Sequence, residues 1–320
     1  MSTTLETGHC FAADLGGTKL AAAMADARGE IVAELTEPTD RRGGAFVAEQ
    51  IAVCADKLAQ SVGIDATQVR HVMVGVPGAI DPLTGRISLT PNVVGLEGFD
   101  VLGYLRGRFG ADVLIENDVN LAMLGEQALG CASHCRNAAF LALGTGAGLG
   151  LLIDGSLFRG ARGSAGEIAD LPIGRDPTWQ IGSATGAFEL EVGSLAIVDR
   201  YRRQGGGGAA VTVRDIFTLL EEGDEVAAVV LDVTARWVAL AIATLQSLLD
   251  LELIVLGGSI GVRPELYERV RRALPALFSR PVAIEPSRLG DRAGLIGAVC
   301  AAAQALRQNR APAQHALHLS

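Results

Sequence analysis

Aromatic residues, basic clusters and disulfide patterns are all scarce in this chain of 320 residues. Phe, Trp and Tyr make up 4% of the residues although apolar types make up 49%, so the core must be built from Ala, Val, Leu and Ile. This composition favours α/β architecture, in which helices cover a sheet rich in aliphatic residues. The length suits two domains of ordinary size, each able to bury its own core.

No block of basic residues occurs, and the net charge is −9. A nucleic-acid groove and an anionic membrane surface are therefore disfavoured, and we expect neither as a partner. The acidic balance still permits polyphosphate binding, because backbone N–H groups and a metal ion can neutralise phosphate charge.

The cysteines do not form a framework typical of secreted proteins. They are odd in number and scattered, at Cys10, Cys54, Cys131, Cys135 and Cys300. Such a pattern fits reduced thiols in the cytosol, and residues 1–10 lack the basic and apolar regions of a secretion signal. The longest apolar stretch, 237–256, is interrupted by polar residues and predicts a buried helix followed by a buried strand. We therefore expect a cytoplasmic protein.

Three glycine turns follow three predicted hydrophobic strands. Two lie in predicted β-hairpins, FAADLGGTKLAAAMAD (11–26) and AFLALGTGAGLGLLIDG (139–155), and the third closes the last predicted strand, 251–261. The repeated strand–turn–strand pattern predicts two related halves. Each turn alone is equally compatible with a structural role, since glycine often serves only positive φ angles. Together they suit a polyphosphate clamp, because glycine lets backbone N–H groups approach phosphate oxygens.

Side chains around these turns add further chemistry. Asp14 precedes the first turn and could hold Mg²⁺, directly or through water, because this ion prefers oxygen ligands. Thr18 and Thr145 would add hydroxyl donors to phosphate. Lys19 is either a phosphate contact or an exposed strand residue, and the sequence favours neither.

Polar residues close another predicted strand, at Glu116-Asn117-Asp118. The sequence predicts a helix at 46–58, a strand at 71–78 and this strand at 113–120. A helix is predicted to begin at its polar end and to continue to about Leu129. Ligands of α/β proteins usually bind at such strand ends, and a carboxylate there can accept a proton from a substrate hydroxyl during phosphoryl transfer. The alternative is a helix N-cap, which Asp and Asn favour. Taken alone, the segment favours the cap.

Segments in order along residues 11–300 resemble the ROK family of bacterial repressors, open reading frames and kinases, within the sugar kinase–actin–Hsp70 superfamily. They are DLGGTK (14–19), ENDVN (116–120), LGTGAGLG (143–150), RGARGSAGEI (159–168), VLGGSIG (255–261) and LIGA (295–298). GVPGAID (75–81) and Pro91-Asn92 are similar to the family's sugar-side segments.

The resemblance implies a two-lobed actin-like ATPase (ribonuclease H-like) fold, with mixed sheets flanked by helices. Residues 1–117 and a C-terminal helix at about 291–310 would form the small lobe, and residues 118–290 the larger one. It also implies ATP- and Mg²⁺-dependent phosphorylation of a hexose at a primary hydroxyl, by a homodimer. Glucose is the default substrate, and mannose, fructose, N-acetylglucosamine and N-acetylmannosamine stay open.

The family's functional residues map onto this chain by the same resemblance. Asp118 would be the general base, and Asp14 would lie near magnesium. The nucleotide would be bound by Asp14, Gly16, Gly17, Thr18, Lys19, Gly144, Thr145, Gly146, Gly257 and Gly258. The sugar would be bound by Gly78, Asn92, Asn117, Glu167, Asp170 and Glu189.

The chain departs from the family at Ala169-Asp170, where ROK kinases have Gly-His. The family's cysteine cluster is also missing, since residues 170–191 contain neither Cys nor His. Structural zinc needs four N or S ligands, so we expect no zinc site. Cys131, His134 and Cys135 lie before the second hairpin, and we expect a helix end with buried thiols there. We hypothesise that apolar packing replaces the metal, through Leu171, Ile173, Trp179, Ile181 and Phe188.

Two other function classes compete with a kinase. A repressor would need a DNA-binding helix-turn-helix, and the thirteen residues before Asp14 are too few for one. A non-catalytic sugar or nucleotide sensor is the stronger alternative, with Asp170 marking a site that has lost activity. The retained Asp14, Asp118 and Glu167 favour the kinase, because a sensor has little use for a base beside a phosphate clamp.

Overall fold

A computed structural model describes residues 8–65, 68–89, 93–173, 186–207 and 211–308. These residues form two compact units. The first takes the chain up to residue 128, residues 161–164 and the chain from residue 292, and the second takes 129–160 and 165–291. The predicted division of nucleotide and sugar motifs between lobes stays a prediction.

The strands are β1 (His9–Leu15), β2 (Lys19–Asp26), β3 (Ile31–Pro38), β4 (Val69–Val76), β5 (Ala79–Ile80), β6 (Ile87–Ser88), β7 (Asp112–Asn117), β8 (Ala138–Leu143), β9 (Ala147–Ile153), β10 (Ser156–Leu157), β11 (Leu253–Gly257) and β12 (Ile284–Pro286). The helices are α1 (Gly44–Ser61), α2 (Val101–Phe109), α3 (Asp118–Leu129), α4 (Glu189–Val192), α5 (Ser194–Arg203), α6 (Val213–Glu221), α7 (Glu225–Leu249), α8 (Gly258–Gly261), α9 (Pro264–Leu277) and α10 (Ala293–Gln308).

The sheet of the first unit has the strand order β3-β2-β1-β4-β7. Strand β1 is buried on both faces of the sheet. Its successive side chains point to opposite sides and therefore join two different cores. Phe11 and Ala13 join the core that α1 and α2 cover, whereas Cys10 and Ala12 join a second cluster with α3 and α10. Edge strand β3 instead alternates half-buried and exposed residues, as expected for a strand with one solvated side.

The sheet of the second unit repeats this topology, with the order β10-β9-β8-β11-β12. In each sheet an antiparallel hairpin with a glycine turn, β1–β2 or β8–β9, is followed outward by two parallel strands. The predicted pair of related halves is therefore confirmed, as are both predicted hairpins.

The apolar stretch at 237–256 forms the end of α7 and strand β11, as predicted. By length and composition α7 could cross a membrane. Its residues Val230, Val238 and Ile242 are fully buried in the core of the second unit, so α7 is a core helix in this structure.

One strand prediction was wrong. The strand at 251–261 is not the last, because β12 follows it and pairs in parallel with β11. Strand β12 has three residues, too few for a period-two pattern to emerge. The C-terminal helix predicted at about 291–310 is observed as a short 3₁₀ turn at Gly290–Arg292 followed by α10.

Candidate active site

The first glycine turn joins β1 to β2 and is braced by a threonine that follows β3. The Gly16 N–H donates to the Lys19 carbonyl at 2.9 Å. The Thr39 hydroxyl donates to the Gly16 carbonyl at 2.7 Å, and the Thr39 N–H donates to the Thr18 carbonyl at 3.1 Å. Gly17 and Thr18 are exposed at the tip. A braced turn with an exposed tip suits phosphate binding, because its donors need not reorganise on binding.

Asp14 lies at the end of β1 in a cradle formed by two glycines. A Cβ atom at Gly75 would lie 3.2 Å from Asp14 Oδ1, and one at Gly294 would overlap Oδ2. Burial raises the pKa of Asp14 to about 6, and the charge of Lys19 opposes this shift. A desolvated carboxylate oxygen gains from a nearby cation, and Mg²⁺ prefers such hard ligands, so Asp14 fits the predicted metal.

Lys19 is half-buried and close enough for its charge to act on Asp14. The interpretation as an exposed strand residue therefore does not fit. Its predicted contact with phosphate stays a prediction.

The strand register aligns the predicted catalytic segment with Asp14. Asp14 pairs with Gly75 on β4, and Gly75 pairs with Glu116 on β7. Neighbouring strands lie about 4.8 Å apart, so the backbones at Asp14 and Glu116 are about 10 Å apart. Asp118 begins α3 directly after this row.

Asn117, and not Asp118, occupies the N-cap position of α3. Asn117 Oδ1 accepts the N–H groups of Val119 and Asn120, both at 2.9 Å, which is the N-cap pattern. Asp118 Oδ1 accepts the Val119 N–H at 2.9 Å from inside the helix. Asn117 Nδ2 also donates to the Gly78 carbonyl at 3.0 Å. Two residues predicted to bind sugar are thus in contact, while Asn92 lies outside the described residues.

The second glycine turn and the Gly257-Gly258 pair lie at the carboxyl ends of the paired strands β8 and β11. Gly257 pairs with Ala142 on β8, just before the turn at Gly144–Gly146. A Cβ at Gly257 would overlap the Phe140 ring, and Gly258 has φ 74° with no room for a Cβ beside the Leu143 carbonyl. Packing alone therefore requires glycine at both positions, and the adenosine contact stays a prediction.

Three carboxylates predicted to bind sugar lie near one another in the second unit. Burial raises the pKa of Glu167, and the charges of Asp170 and then Glu189 raise it further. Glu189 Oε2 accepts the Ala147 N–H at 3.0 Å, immediately after the second turn. Asp170 is exposed. Ionised carboxylates accept hydrogen bonds, so this cluster suits a ligand rich in hydroxyl groups.

Apolar and backbone contacts connect residues 169–173 with residues 186–188, on either side of the segment where we expect no zinc. The Phe188 N–H donates to the Ala169 carbonyl at 3.0 Å, and a Cβ at Gly186 would overlap the same carbonyl. Phe188 is fully buried, and Leu171 and Ile173 pack against the same core. Trp179 and Ile181 lie outside the described residues. These contacts support the packing hypothesis for Leu171, Ile173 and Phe188.

Within the described ranges, no group of three or more His, Cys, Asp or Glu side chains has a metal-binding arrangement. Cys131 and Cys135 are buried and His134 is exposed. Burial also raises the pKa of Cys135, which disfavours the thiolate that zinc requires. The predicted absence of zinc stays a prediction.

Thr39, Gly75 and Gly294 were not predicted from the sequence to shape the site. Gly75 begins the recognised segment 75–81 and Gly294 precedes the segment 295–298, but nothing local marks either as a neighbour of Asp14. Thr39 gives no sequence signal, since its role depends on the return of β3 beside β2.

Comparison with known proteins agrees with this architecture. A glucokinase of Halalkalibacterium halodurans is 29% identical over 307 residues, covering 89% of this chain and 92% of that protein. An N-acetyl-D-glucosamine kinase of Haemophilus influenzae is 27% identical over 305 residues, covering 90% and 97%. The crystal structure of a ROK family glucokinase from Streptomyces griseus with glucose and AMPPNP matches with a TM-score of 0.77 at 26% identity, covering 93% and 100%. The ROK family model matches residues 10–305, and this chain therefore belongs to the ROK family and has its actin-like ATPase fold.

Proposed function

We propose that this protein transfers the γ-phosphoryl group of ATP to a primary hydroxyl of a hexose, with Asp118 as general base. The observation that carries the proposal is the position of Asp118 at the carboxyl edge of the first sheet, on a helix that Asn117 caps. The helix-cap explanation of Asp118 is thereby weakened, because the capping position is already occupied.

Each unit supplies part of the proposed machinery. In the first, Asp118 accepts the proton of the attacking hydroxyl, and Asn117 orients a neighbouring hydroxyl from the helix start. The first turn offers the N–H groups of Gly17 and Thr18 to phosphate oxygens. Asp14 would hold Mg²⁺, which when bound neutralises charge on the phosphates.

The second unit supplies the other nucleotide and sugar contacts. The turn at Gly144–Gly146 binds phosphate, and Gly257 and Gly258 approach the adenosine. Glu167, Asp170 and Glu189 accept hydrogen bonds from sugar hydroxyls. Glu189 has a second role, because its bond to the Ala147 N–H connects the sugar site to the phosphate turn.

Glucose is the proposed substrate. The support is the glucokinase name of one relative and the glucose in the Streptomyces griseus structure, both below 30% identity. The N-acetyl-D-glucosamine kinase relative keeps an N-acetylhexosamine as the alternative. We further propose a cytoplasmic homodimer assembled through the second unit.

A coupled ADP-release assay across glucose, mannose, fructose, N-acetylglucosamine and N-acetylmannosamine tests the function. We expect one sugar to dominate kcat/KM. Asp118→Asn should lower kcat by about a hundred- to ten-thousand-fold and leave AMPPNP binding intact. Wild-type protein that binds a sugar or nucleotide yet phosphorylates none of the five would favour the non-catalytic sensor. An Asp118→Asn variant with more than half the wild-type kcat would remove Asp118 from the general-base role.

A further inference from the structure

Glu116 and Asn120 are buried polar residues on either side of the Asn117-Asp118 pair. Glu116 is 8% exposed near the end of β7, and Asn120 is 4% exposed in the first turn of α3. Glu116 Oε1 accepts two hydrogen bonds, from the Asn117 backbone N–H and from Asn120 Nδ2, each at 3.0 Å. One carboxylate oxygen therefore links the end of the strand to the start of the helix.

This arrangement modifies an ordinary capping box. In a capping box, the side chain of the third helical residue accepts the backbone N–H of the N-cap residue. Here the N-cap is Asn117 and the third residue is Asn120, whose Nδ2 is a donor and cannot accept. Glu116 fills that role, since it accepts the N-cap N–H and binds the Asn120 amide as well. The result is a closed ring of bonds around the first residue of α3, which is Asp118.

Stability alone does not favour an asparagine at position 120. Its Oδ1 is buried and has no hydrogen-bond partner among the residues that the structure describes. An unpaired buried polar atom costs free energy, and an apolar side chain would avoid that cost. The pair is therefore better explained by what it positions than by what it stabilises.

We infer that Glu116 and Asn120 are positioning residues for phosphoryl transfer, which hold Asn117 and Asp118 in place at the carboxyl end of β7. The inference rests on the proposed function. The two bonds of Glu116, to the Asn117 N–H and to Asn120 Nδ2, hold the backbone on either side of Asp118 against the end of β7. Misplacement by about 1 Å costs about a hundredfold in rate when it affects a reacting group, so loss of this ring should reduce kcat more than substrate affinity.

The test compares Glu116→Ala, Asn120→Ala and the double variant with wild-type protein. We expect each single variant to lower kcat by about 10- to 100-fold, with AMPPNP affinity within about threefold of wild type. The double variant should lose little more than the worse single variant, because residues in one network have non-additive effects. Glu116→Gln keeps an acceptor oxygen and should restore kcat to within about threefold of wild type.

Asp100→Ala is the matched control for general destabilisation. Asp100 Oδ1 caps α2 by accepting the Gly103 N–H at 2.8 Å, and α2 carries no proposed site residue. The Asp100→Ala variant should lose thermal stability, as Glu116→Ala should, but keep wild-type kcat. If Glu116→Ala does not fold, Asn120→Ala and Glu116→Gln still decide the question, because the first must lose kcat and the second must keep it.

The outcomes separate the two proposals. Asp118→Asn inactive with Glu116→Ala and Asn120→Ala near wild-type kcat would overturn the positioning role and leave the general base intact. Equal kcat losses in Asp100→Ala and Glu116→Ala would also overturn it, since destabilisation would then explain both. Wild-type protein without phosphotransferase activity would overturn the proposed function and the positioning role together.

Discussion

The cradle around Asp14 predicts that a single added methyl group will damage phosphoryl transfer. Gly294 is the second residue of α10, and a Cβ there would lie 2.7 Å from Asp14 Cγ. Ordinary contacts begin at about 3.4 Å and Oδ2 lies nearer to the added Cβ than Cγ does, so the carboxylate would have to move by about 1 Å. Strand β1 is hydrogen-bonded on both sides, to β2 and β4. We therefore expect the Asp14 side chain to move and the strand to stay.

The size of the effect follows from that displacement. A shift approaching 1 Å at a group that must hold a metal near the reacting phosphate costs about 10- to 100-fold in kcat. Gly294→Ala should also raise the Mg²⁺ concentration needed for half-maximal rate. The sugar KM should change by less than about threefold, because the proposed sugar contacts do not include Asp14.

The assay is steady-state ADP release at saturating sugar, with Mg²⁺ as the variable. Gly107→Ala is the matched control, because it makes the same change in α2, where, outside the local helix backbone, no atom of the described residues lies within 4 Å of the added Cβ. The control should keep wild-type kinetics and gain slight stability from better helix propensity. If Gly294→Ala matches Gly107→Ala in kcat and Mg²⁺ dependence to within about twofold, the argument that Asp14 needs its present position is refuted.

The remaining predictions concern Asp14, zinc and Asp170. Burial raises the pKa of Asp14 to about 6, above its value in the unfolded chain, so the folded state loses stability as pH rises from about 4 through 6. In urea denaturation without Mg²⁺, Asp14→Asn should then raise the free energy of unfolding by about 2–3 kcal/mol at pH 8 and by little near pH 4. Equal effects at both pH values would contradict a buried charge at Asp14. Protein purified without added zinc should hold none by elemental analysis, and about one zinc per chain would mean that the ligands were missed, with Cys131, His134 and Cys135 examined first. Asp170→Ala should raise the sugar KM by about 10- to 100-fold with a smaller effect on the ATP KM, which corresponds to about 1.5–3 kcal/mol for a charge-assisted hydrogen bond; unchanged sugar KM and kcat would exclude Asp170 from sugar binding.

Much of the fold could be predicted because its signals are local. Both glycine hairpins and the presence of a helix after the Glu116-Asn117-Asp118 segment depend on residues adjacent along the chain, where apolar runs, turn residues and capping residues act directly. The repeat of the hairpin also predicted the matching topology of the two sheets. Strand β12 escaped prediction because three residues carry too little pattern to separate a strand from a loop.

The residues of the candidate site could be predicted from local signals, but their neighbours in the fold could not. The sequence by itself determined which residues bear chemistry, because Asp14, Asp118 and the glycine turns stand out by type and spacing. It left open whether Asn117 or Asp118 caps α3, since both residue types suit a cap.

Only the tertiary structure decided which distant residues surround those groups. The parallel pairing of β4 with β1 brings Gly75 beside Asp14, and the return of α10 brings Gly294 to the other side. The Glu189 carboxylate likewise reaches the Ala147 N–H through packing in the second unit. These contacts join residues far apart in the chain, and local patterns carry no information on them, because the close approach is set by strand order and helix packing.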